Sequence, residues 1–597
     1  MAGNCCYGSW PSSRSPSGWA TTWRALFTIN PDARLLSWSL WALEAYAVAG
    51  LGLFTFALWD VRAPTPVSRQ LPRGETAVLI TTYNESLEVI EPVVVGALRI
   101  DTPHQTWILD DGARPEIARL ARELGASYIA RPDNVGAKAG NLNHALASID
   151  VDFIAVLDAD QVPHDDLLRN TLPYLNDPDV AFVQTPQTFY NEDSFEHVHS
   201  RRRGNRAPTT EQSLFYRVVQ PAKNRWNSAF WCGTNAILRT RALAEVGGVA
   251  MESVTEDFQT TIRLHRAGWK SIYHDEVLAR GLAAPTAEEY LMRRRRWCTG
   301  AMQTWHHERP LTDRSLAPAQ RLAYGTTLLA WFDPLRTLGL LLLPPVVILT
   351  GQAPIVAPVL LFLAVFVVAF ALQQVALLLL GRGLHRPIAN TVFELVRMEA
   401  VLLALTGSLV SRKILFRVTP KGRTSDTSHR ARTPHLLVAV AVLYAVAFGF
   451  YGVGVLGLIP APAQPGVVHG AALWALFSGV LLVMAIARIL SPRFAPERRR
   501  SYRHPVVLAA EIEGRAATVV DLSLTGLRVE LSRDRATALL ETDHVDVDIL
   551  RSGGVVRLSG APVGIERIGP NAAMVSLEFT DDHHGAATLL HDVIHHG

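Results

Sequence analysis

The stretch FIAVLDAD, residues 153–160, places five apolar residues directly before two acids, Asp158 and Asp160. Two upstream stretches have the same form, TAVLITTYNE at 76–85 and TWILDDG at 106–112. Short apolar runs of this kind predict buried strands, here 76–81, 106–109 and 153–157. Helical patterns lie between them, at 87–98, 115–124 and 138–146. Strands that alternate with helices form parallel sheets, so the sequence predicts an α/β, Rossmann-like domain over residues 60–322.

Polar residues follow each predicted strand, at the edge where open parallel sheets bind their ligands. Asp158-x-Asp160 suits Mg²⁺ or Mn²⁺ that also holds phosphate oxygens, and Glu85 and Asp110-Asp111 follow the other strands. Ordinary turn residues are the alternative for any one such acidic pair. Lys138 could neutralise a diphosphate, or it could be a solvated lysine. The sequence contains no GxxxxGK[ST] loop, which argues against an NTPase.

The composition excludes several classes of protein. The chain has 597 residues, of which 49% are hydrophobic and 19% charged, so it is neither disordered nor highly charged. Its net charge of +3 gives no support for a nucleic-acid partner. The 4 cysteines include no CxxC pair and cannot form a disulfide framework. We therefore expect a reducing compartment for the soluble parts.

Several apolar segments are long enough to cross a lipid bilayer, which takes about 20 residues in a helix. They are 35–59, two helices within 337–381 separated by a turn at 351–354, 436–459, and the shorter 470–487. A buried core helix is the alternative for any one of them. The loops 381–386, 412–432 and 488–503 are rich in Arg and Lys, whereas 351–354 and 460–468 carry no charge. The positive-inside rule then predicts that 60–320 and the tail after 490 both lie in the cytoplasm.

The segment 390–411 contains Glu394, Arg397 and Glu399, so we expect an amphipathic helix at the membrane interface rather than a span. The predicted divisions of the chain follow from these patterns. They are an N-terminal segment (1–34), a transmembrane helix (35–59), a cytoplasmic α/β domain (60–322), a membrane region of about four spans (323–490) and a C-terminal domain (491–597).

Four short motifs stand in an order that resembles one known family. They are Asp110-Asp111-Gly112, Asp158-Ala159-Asp160, Thr255-Glu256-Asp257 and Arg293-x-x-Arg296-Trp297. The set resembles the DDG, DxD, TED and Q-x-x-R-W motifs of processive family 2 glycosyltransferases of the bacterial cellulose synthase type. The resemblance covers about residues 70–580 and implies a GT-A-like transferase domain followed by membrane helices. One position departs from the family, since Arg293 stands in place of its glutamine, which leaves the sugar and the linkage open.

The resemblance also assigns roles to single residues. An inverting sugar transfer needs a general base, which would be Asp257, and the catalytic set would be Asp257, Glu256, Asp158 and Asp160, of which Asp158 and Asp160 hold the metal. The nucleotide-sugar contacts would be Thr82, Tyr83, Glu85, Asp110, Asp111, Lys138, Asp158, Arg293 and Arg296. The acceptor contacts would be Trp297, Cys232 and Glu256. The alternatives are a basic run at a membrane surface for 293–296 and a packed small side chain for Cys232.

A basic loop carries a further resemblance. Residues 416–421, FRVTPK, are similar to the gating-loop motif F-x-V-T-x-K of the family, in which that loop inserts over the nucleotide-sugar pocket. The corresponding residues are Phe416, Val418, Thr419 and Lys421. An ordinary basic segment beside the membrane is the alternative.

Apolar and polar residues alternate through the last hundred positions, which predicts a small β-barrel or sandwich. Its Arg499-x-x-x-Arg503 and Asp521-x-Ser523-x-x-Gly526 resemble the RxxxR and DxSxxG signatures of a PilZ domain, which binds cyclic di-GMP. The guanidinium group of arginine can donate two parallel hydrogen bonds to a phosphate group. The contacts implied are Arg498, Arg499, Arg503, Asp521, Ser523 and Gly526. The His-rich end at 583–596 is expected to be a solvated tail rather than a metal site.

Three hypotheses follow. The first is a membrane-embedded, inverting, processive enzyme that uses UDP-glucose with Mg²⁺ or Mn²⁺, elongates a growing polysaccharide chain and is activated by cyclic di-GMP. It would lie in the bacterial inner membrane, in contact with the lipid bilayer and with an extracytoplasmic accessory subunit as the family partner. The second keeps this scaffold with another β-glucan or UDP-sugar. The third is a non-catalytic membrane scaffold that senses cyclic di-GMP, against which the intact Asp158, Asp160 and Asp257 speak.

Overall fold

The computed structural model describes residues 29–61, 63–198, 209–357, 359–410, 432–460, 462, 464–494, 501–551, 554–580 and 583–596. These residues form two compact units. The helical unit takes its described residues from Met1–Trp59, Leu329–Glu399 and Thr433–Ala487. The mixed unit takes its own from Asp60–Leu328, Ala400–Arg432 and Arg488–Gly597.

A seven-stranded sheet is the centre of the mixed unit. Its strands are β1 (Thr76–Thr82), β2 (Gln105–Asp110), β3 (Ser127–Ala130), β4 (Phe153–Asp158), β5 (Val180–Gln184), β6 (Ala236–Arg239) and β7 (Lys270–Tyr273). The spatial order is β7-β5-β6-β4-β1-β2-β3. The predicted parallel pairing is confirmed for β1 with β2 and β4, whereas β6 runs antiparallel to both of its neighbours. An apolar strand has the same pattern in either direction, so its sequence could not predict this reversal.

The mixed unit also contains helices, several of which cover the two faces of this sheet. They are Leu87–Leu98, Pro115–Leu124, Ala137–Leu146, Leu167–Thr171, Gln220–Ala222, Thr240–Glu245, Glu256–Arg266, Ala287–Glu308 and Pro318–Leu329. The first two begin and end where the sequence predicts, and the third begins one residue earlier. Two separate apolar clusters pack against the two faces, one around Ile80 and Leu157 and the other around Leu79 and Val156. Neighbouring residues of one strand thus serve opposite layers, as the pleat requires.

Two smaller pairings lie beside the sheet. Val162–Pro163, Ala279–Gly281 and Thr188–Phe189 form a three-stranded sheet, and His197–Val198 pairs with Thr209–Thr210.

The helical unit contains the apolar helices. They are Arg34–Leu58, Asp333–Thr350, Val359–Leu380, Pro387–Val410 (to Glu399), His435–Val455 and Pro465–Ile489 (to Ala487). Among the residues that the structure describes in both units, four stretches are long and apolar enough to cross a membrane. They are Pro31–Leu58, Pro318–Thr350 (of which 318–328 belong to the mixed unit), His435–Val455 and Pro465–Ile489. Val359–Leu380 adds the shorter apolar stretch Ala364–Leu380. The predicted helices are therefore present, and the last begins at Pro465 rather than at 470.

A closed six-stranded barrel follows in the mixed unit, which confirms the predicted all-β C-terminal domain. Its strands are β8 (His504–Ile512), β9 (Arg515–Ser523), β10 (Gly526–Ser532), β11 (Val545–Arg551), β12 (Gly554–Arg567) and β13 (Ala572–Phe579), and Arg533–Leu539 is a short helix. They close in the order β8-β9-β10-β13-β12-β11. Alternate residues such as Val519, Leu527 and Val575 fill the interior. Gly526 lies so close to the backbone of Leu577 that a Cβ would overlap its carbonyl oxygen.

The expectation of a solvated His-rich tail is wrong. Residues His583–His596 form a helix that packs on helix Leu87–Leu98. His584 Nδ1 lies 2.6 Å from Glu91 Oε1, and the fully buried His591 contacts the carbonyl oxygen of Pro163 through Nε2 at 3.0 Å. The apolar side of this helix is formed by the buried residues Ala586, Ala587, Leu589 and Leu590. The prediction rested on the histidines and did not take these apolar residues into account.

Candidate active site

The strand ends bring the predicted acids to one edge of the sheet. In the parallel register Thr82 of β1 stands beside Asp110 of β2, and Thr81 stands beside Asp158 of β4. Polar side chains that are far apart in sequence therefore lie next to one another where the three strands stop. This is the edge at which an open α/β sheet binds its ligand.

Asp110 is a structural centre of this edge rather than an open ligand. Its carboxylate is fully buried and accepts hydrogen bonds from the Gly112 backbone at 2.9 Å and from Tyr128 at 3.1 Å. Arg114 donates to it from its backbone at 2.7 Å and from Nη2 at 3.0 Å. The same guanidinium donates to Thr82 Oγ1 at 2.7 Å. Arg114, which the sequence analysis did not identify, thus ties the ends of β1 and β2 together.

Glu85 and Asp111 are also held by partners. Glu85 Oε2 accepts from Thr82 Oγ1 at 2.9 Å and from the backbone N–H of Tyr83 at 2.8 Å. Asp111 accepts two hydrogen bonds from Arg131, at 2.5 and 2.9 Å. Burial raises the pKa of Asp111, and the ion pair with Arg131 opposes that rise.

Arg131 was not predicted, although it directly follows β3 at the same edge of the sheet. It also donates to the carbonyl oxygens of Val135 at 2.6 Å and Ala137 at 2.8 Å. Ala137 is the first residue of the helix that carries Lys138. Arg131 therefore joins Asp111 to the turn that positions Lys138.

Lys138 is not a solvated lysine. Its ammonium group pairs with Asp158 Oδ1 and donates to the carbonyl oxygen of Gly233 at 2.6 Å. Gly233 has a positive φ of 85°, and a Cβ built on it would lie 3.0 Å from Asp257 Oδ2 and 3.8 Å from Lys138 Nζ. The site thus gathers Lys138, Asp158 and Asp257 around the backbone of one glycine.

Glu256 and Asp257 occupy the first turn of helix Glu256–Arg266. Asp257 Oδ1 accepts from the backbone N–H of Phe258 at 2.7 Å. Burial raises the pKa of both acids, and the adjacent charge of Glu256 raises that of Asp257 further. Lys138 and Arg296 act in the opposite direction on both pKa values. A carboxyl group whose pKa is raised toward neutrality is a better proton acceptor than an ordinary aspartate.

Helix Ala287–Glu308, the arginine-rich helix, packs closely on this acidic turn. Gly300 lies against Thr255, and its carbonyl oxygen accepts from Ser253 Oγ at 3.0 Å. Gln303 Oε1 accepts from the backbone N–H of Val254 at 2.9 Å. Arg296 lies one turn before Gly300, and its charge acts on Glu256 and Asp257. The motif spacing thus places a cation beside the two acids.

Arg293 and Trp297 are brought together on the same helix. Arg293 pairs with the fully buried Glu196, and its guanidinium lies 5.5 Å from the centre of the Trp297 ring. Burial lowers the pKa of Arg293 to about 9. Glu196 had not been identified from the sequence, and nothing in its local pattern distinguishes it from a surface glutamate.

Cys232 is a packing residue at its sulfur. Gln220 donates to Sγ at 3.1 Å, and the backbone N–H of Cys232 donates to Gln184 Oε1 at 2.8 Å. Burial raises the pKa of the thiol well above its usual value, which keeps it protonated. The segment Phe230–Thr234 therefore contributes backbone, above all at Gly233, rather than a thiolate.

The residues present fit a divalent cation that the substrate helps to hold. Asp158 is partly exposed with a side-chain exposure of 30%, and Asp160 is 6% exposed. Within the described ranges, no three His, Cys, Asp or Glu residues are grouped to hold a metal ion. Mg²⁺ commonly takes one or two carboxylates together with substrate phosphates, which is a smaller requirement on the protein.

The barrel holds four of the predicted cyclic di-GMP contacts. Arg503 donates to Asp521 Oδ1 at 2.9 Å, and Arg528, which was not predicted, pairs with the other carboxylate oxygen. Ser523 Oγ donates to the carbonyl oxygen of Gly526 at 2.9 Å. Arg498 and Arg499 lie outside the described residues, as do the gating-loop positions Phe416, Val418, Thr419 and Lys421.

Comparison with known proteins places this site in a family. Residues 153–373 match the model of the glycosyl transferase family group 2. Cellulose synthase 1 of Komagataeibacter xylinus is 33% identical over 536 residues, which are 86% of this chain and 34% of that protein. The chain thus spans about a third of the length of that relative.

Two shorter relatives match over most of their own length. A UDP-forming cellulose synthase 1 catalytic subunit of Komagataeibacter xylinus is 31% identical over 85% of this chain and 70% of its own. The corresponding catalytic subunit of Pseudomonas fluorescens is 31% identical over 91% of this chain and 76% of its own. Among solved structures, a Pyrobaculum calidifontis mannosyltransferase in complex with GDP-Man and Mn²⁺ aligns with a TM-score of 0.45 at 18% identity, over 63% of this chain and 99% of that one.

Four stretches long and apolar enough to cross a bilayer accompany these matches, and the protein is a membrane protein. The family match at 153–373 includes Asp158-Ala159-Asp160, Thr255-Glu256-Asp257 and Arg293-x-x-Arg296-Trp297. The chain belongs to the family of cellulose synthase catalytic subunits.

Proposed function

We propose that this protein is a processive, inverting glycosyltransferase that transfers glucose from UDP-glucose to the end of a growing cellulose-like β-1,4-glucan. One observation carries the proposal. Lys138, Asp158 and Asp257 meet around Gly233 at the carboxyl edge of the sheet, which supplies a cation, a metal ligand and a base in one place. The family relationship supports UDP-glucose as the donor.

The chemistry follows from these positions. The acceptor hydroxyl oxygen forms a bond to the anomeric carbon while the bond from that carbon to the UDP oxygen breaks. The acceptor proton passes to Asp257, and the electron pair leaves with UDP. The positive charges of Lys138 and Arg296 stabilise the negative charge that develops on the diphosphate. Trp297 offers an aromatic face for the acceptor sugar, which is a common way to bind a pyranose ring.

Asp158 and Asp160 are the residues that would hold Mg²⁺ or Mn²⁺. When bound, the ion supplies a Lewis acid for the diphosphate oxygens. Lys138 pairs with Asp158, so the lysine partly neutralises the carboxylate of Asp158. A divalent ion held by Asp158 would share that carboxylate with Lys138, and bound diphosphate would give Lys138 a further anionic partner.

The enzyme would be a multi-pass protein of the bacterial inner membrane, with the transferase domain and the barrel in the cytoplasm. The distribution of charge in the loops supports this orientation. The product would leave through the membrane region, and an extracytoplasmic accessory subunit would receive it.

Cyclic di-GMP would act through the barrel, as in a PilZ domain. The proposed contacts are Arg498, Arg499, Arg503, Asp521, Ser523 and Gly526. Asp521 is 4% exposed and pairs with Arg503. This ion pair holds the guanidinium of Arg503 in place at the start of the barrel. Nucleotide binding would then free Phe416–Lys421 to enter the donor pocket.

UDP release from the purified protein in membrane vesicles tests the proposal. The assay contains UDP-glucose with Mg²⁺ or Mn²⁺, with and without cyclic di-GMP, and Asp257→Asn as the inactive control. We expect turnover that rises with cyclic di-GMP and is abolished in the control. Turnover that persists in Asp257→Asn would contradict the assignment of the base. Activation that survives the exchange of both Arg499 and Arg503 for alanine would contradict the switch.

A second candidate keeps the scaffold and changes the product to another β-glucan or to a polymer of another UDP-sugar. Arg293 favours it, because an arginine paired with Glu196 replaces the glutamine of the family motif. Digestion of the product with linkage-specific hydrolases separates the two candidates.

A further inference from the structure

Two arginines of the arginine-rich helix lie over the ring of Trp297. The guanidinium carbons of Arg293 and Arg294 are 5.5 and 4.9 Å from its centroid. Residues three and four positions apart share a helix face, so the spacing alone brings these side chains together. Arg293 also lies 5.7 Å from the ring of Phe189. All three distances are within the range in which a cation is attracted to an aromatic face.

Two buried acids hold these arginines. Glu196, whose side chain is 0% exposed, pairs with Arg293, and Glu211, at 8%, pairs with Arg294. The backbone N–H of Glu211 donates to the carbonyl oxygen of Glu196 at 3.0 Å. Both glutamates flank the short pairing of His197–Val198 with Thr209–Thr210, so the backbone fixes their separation.

This arrangement restricts the Arg293 side chain. A guanidinium that left Glu196 would leave a buried carboxylate without its ion pair, which is strongly unfavourable. The guanidinium is a planar cation and is therefore suited to stacking on an indole ring. Lysine is a cation that is not planar, and glutamine carries no charge. Arg293 has a side-chain exposure of 15%, so it presents little surface to a ligand of its own.

We infer that Arg293, clamped by Glu196, is a positioning residue that holds the ring of Trp297 in the orientation in which it receives the acceptor sugar. This inference rests on the proposed acceptor role of Trp297. Arg293 then acts on the acceptor sugar through the side chain of Trp297. An arginine here fixes the platform by charge and stacking, where the glutamine of the family motif has only hydrogen bonds to offer.

Four variants test the inference in the full-length protein in vesicles. Arg293→Gln installs the family residue, Glu196→Gln removes the clamp, and the double variant replaces the ion pair by two neutral amides that can hydrogen bond. Arg295→Gln is the matched control, because Arg295 is exposed on the same helix. Binding of UDP with Mn²⁺ verifies that each variant is folded.

The first measurement is the partition of UDP-glucose between transfer to polymer and hydrolysis to free glucose. We expect both single variants to lose about 10- to 100-fold in kcat for transfer, because a sugar misplaced by about 1 Å reacts poorly. The share of free glucose rises, while the KM for UDP-glucose stays within about twofold. The double variant is no worse than the worse single one, since the two residues act as a unit. Arg295→Gln behaves as the wild type.

The second measurement does not need turnover. Oxidation by N-bromosuccinimide, followed residue by residue with mass spectrometry, compares Trp297 with Trp305 on the same helix. We expect Trp297 to react several-fold faster relative to Trp305 in the single variants. A loss of transfer with unchanged glucose share and unchanged Trp297 oxidation would overturn the inference. Wild-type protein without turnover on UDP-glucose would instead count against the proposed function, and the oxidation result would still decide the positioning role.

Discussion

Gly300 is the point at which a single methyl group is expected to disturb the catalytic acids. A Cβ at this position would meet Thr255 Oγ1 first, and it would lie 2.5 Å from Thr255 Cγ2 and 2.8 Å from Thr255 Cβ. Both distances are far below van der Waals contact, so either the helix or the turn must move. Thr255 directly precedes Glu256 and Asp257, and the displacement therefore reaches the proposed base.

The sign of the effect distinguishes this contact from helix propensity. In the interior of a helix, Gly→Ala normally stabilises by roughly 0.5–1 kcal/mol. Overpacking of a tight contact costs about 1–3 kcal/mol, so the clash at Gly300 should exceed the gain in propensity. We expect Gly300→Ala to lower the apparent Tm, by roughly 2–4 °C per kcal/mol for a domain of 150–250 residues. We expect kcat to fall by about 100-fold, which is the loss that a displacement of the base by about 1 Å can cause.

The assay is UDP release together with thermal unfolding in the same detergent. Gly407→Ala is the matched control, because Gly407 is also helical and has open space where a Cβ would stand. It should be neutral or slightly stabilising. Thr255→Ala combined with Gly300→Ala removes both clashing atoms, Oγ1 and Cγ2, and should restore part of the activity. Equal behaviour of Gly300→Ala and Gly407→Ala would refute the reasoning.

Three further variants test the donor side of the site. Lys138→Met should raise the KM for UDP-glucose about tenfold, which is a loss of about 1.4 kcal/mol in binding. It should also lower the Mn²⁺ concentration needed for half-saturation, measured by electron paramagnetic resonance, because Asp158 loses a competing cation. Asp257 accepts a proton only when ionised, so kcat/KM should rise with pH through its raised pKa; Glu256→Gln removes a neighbouring charge and should move that rise to lower pH in the pH–rate profile. Asp111→Asn should lower the Tm, with a loss of up to about 3–5 kcal/mol, because Arg131 stays buried without its ion pair.

Two of these variants, Lys138→Met and Asp111→Asn, have a matched control in the chain. Lys138→Arg keeps a cation near Asp158 and should retain more donor affinity than Lys138→Met. Asp133 also pairs with Arg131, at 3.8 Å, but is 62% exposed, so Asp133→Asn should leave the Tm unchanged. If Asp133→Asn destabilised as much as Asp111→Asn, burial would not be the cause.

The first half of the transferase domain was predictable because apolar runs and turn acids alternate there without interruption. Strands β1, β2 and β4 and helices Leu87–Leu98 and Pro115–Leu124 follow from that alternation. The antiparallel direction of β6 does not follow from it, because a short apolar run can pair equally well in either direction. Only the tertiary path of the chain decides the direction of such a strand. Alternation predicted a barrel or a sandwich, and only the pairing of the six strands shows that the barrel is closed.

The partners of the predicted acids were not predictable. Arg114 and Arg131 hold Asp110 and Asp111, yet in the sequence they are two arginines among many basic residues. Ion pairs depend on which strands are neighbours, and that information lies in the register and not in the local pattern. For the same reason the clamp of Arg293 by Glu196, which lie about a hundred positions apart, became apparent only in the fold.

The arginine-rich helix unites both sides of the proposed reaction because of its own periodicity. Arg293, Arg296 and Gly300 recur at intervals of three and four residues, so they lie along one side of the helix over two turns. At one end of that side Gly300 lies against the turn before the catalytic acids, and in the middle Arg296 balances their charge. At the other end Arg293 pairs with Glu196 and lies over the ring of Trp297. A rotation of this helix would therefore move the base environment and the acceptor platform together, which is a reason for one rigid helix to carry both.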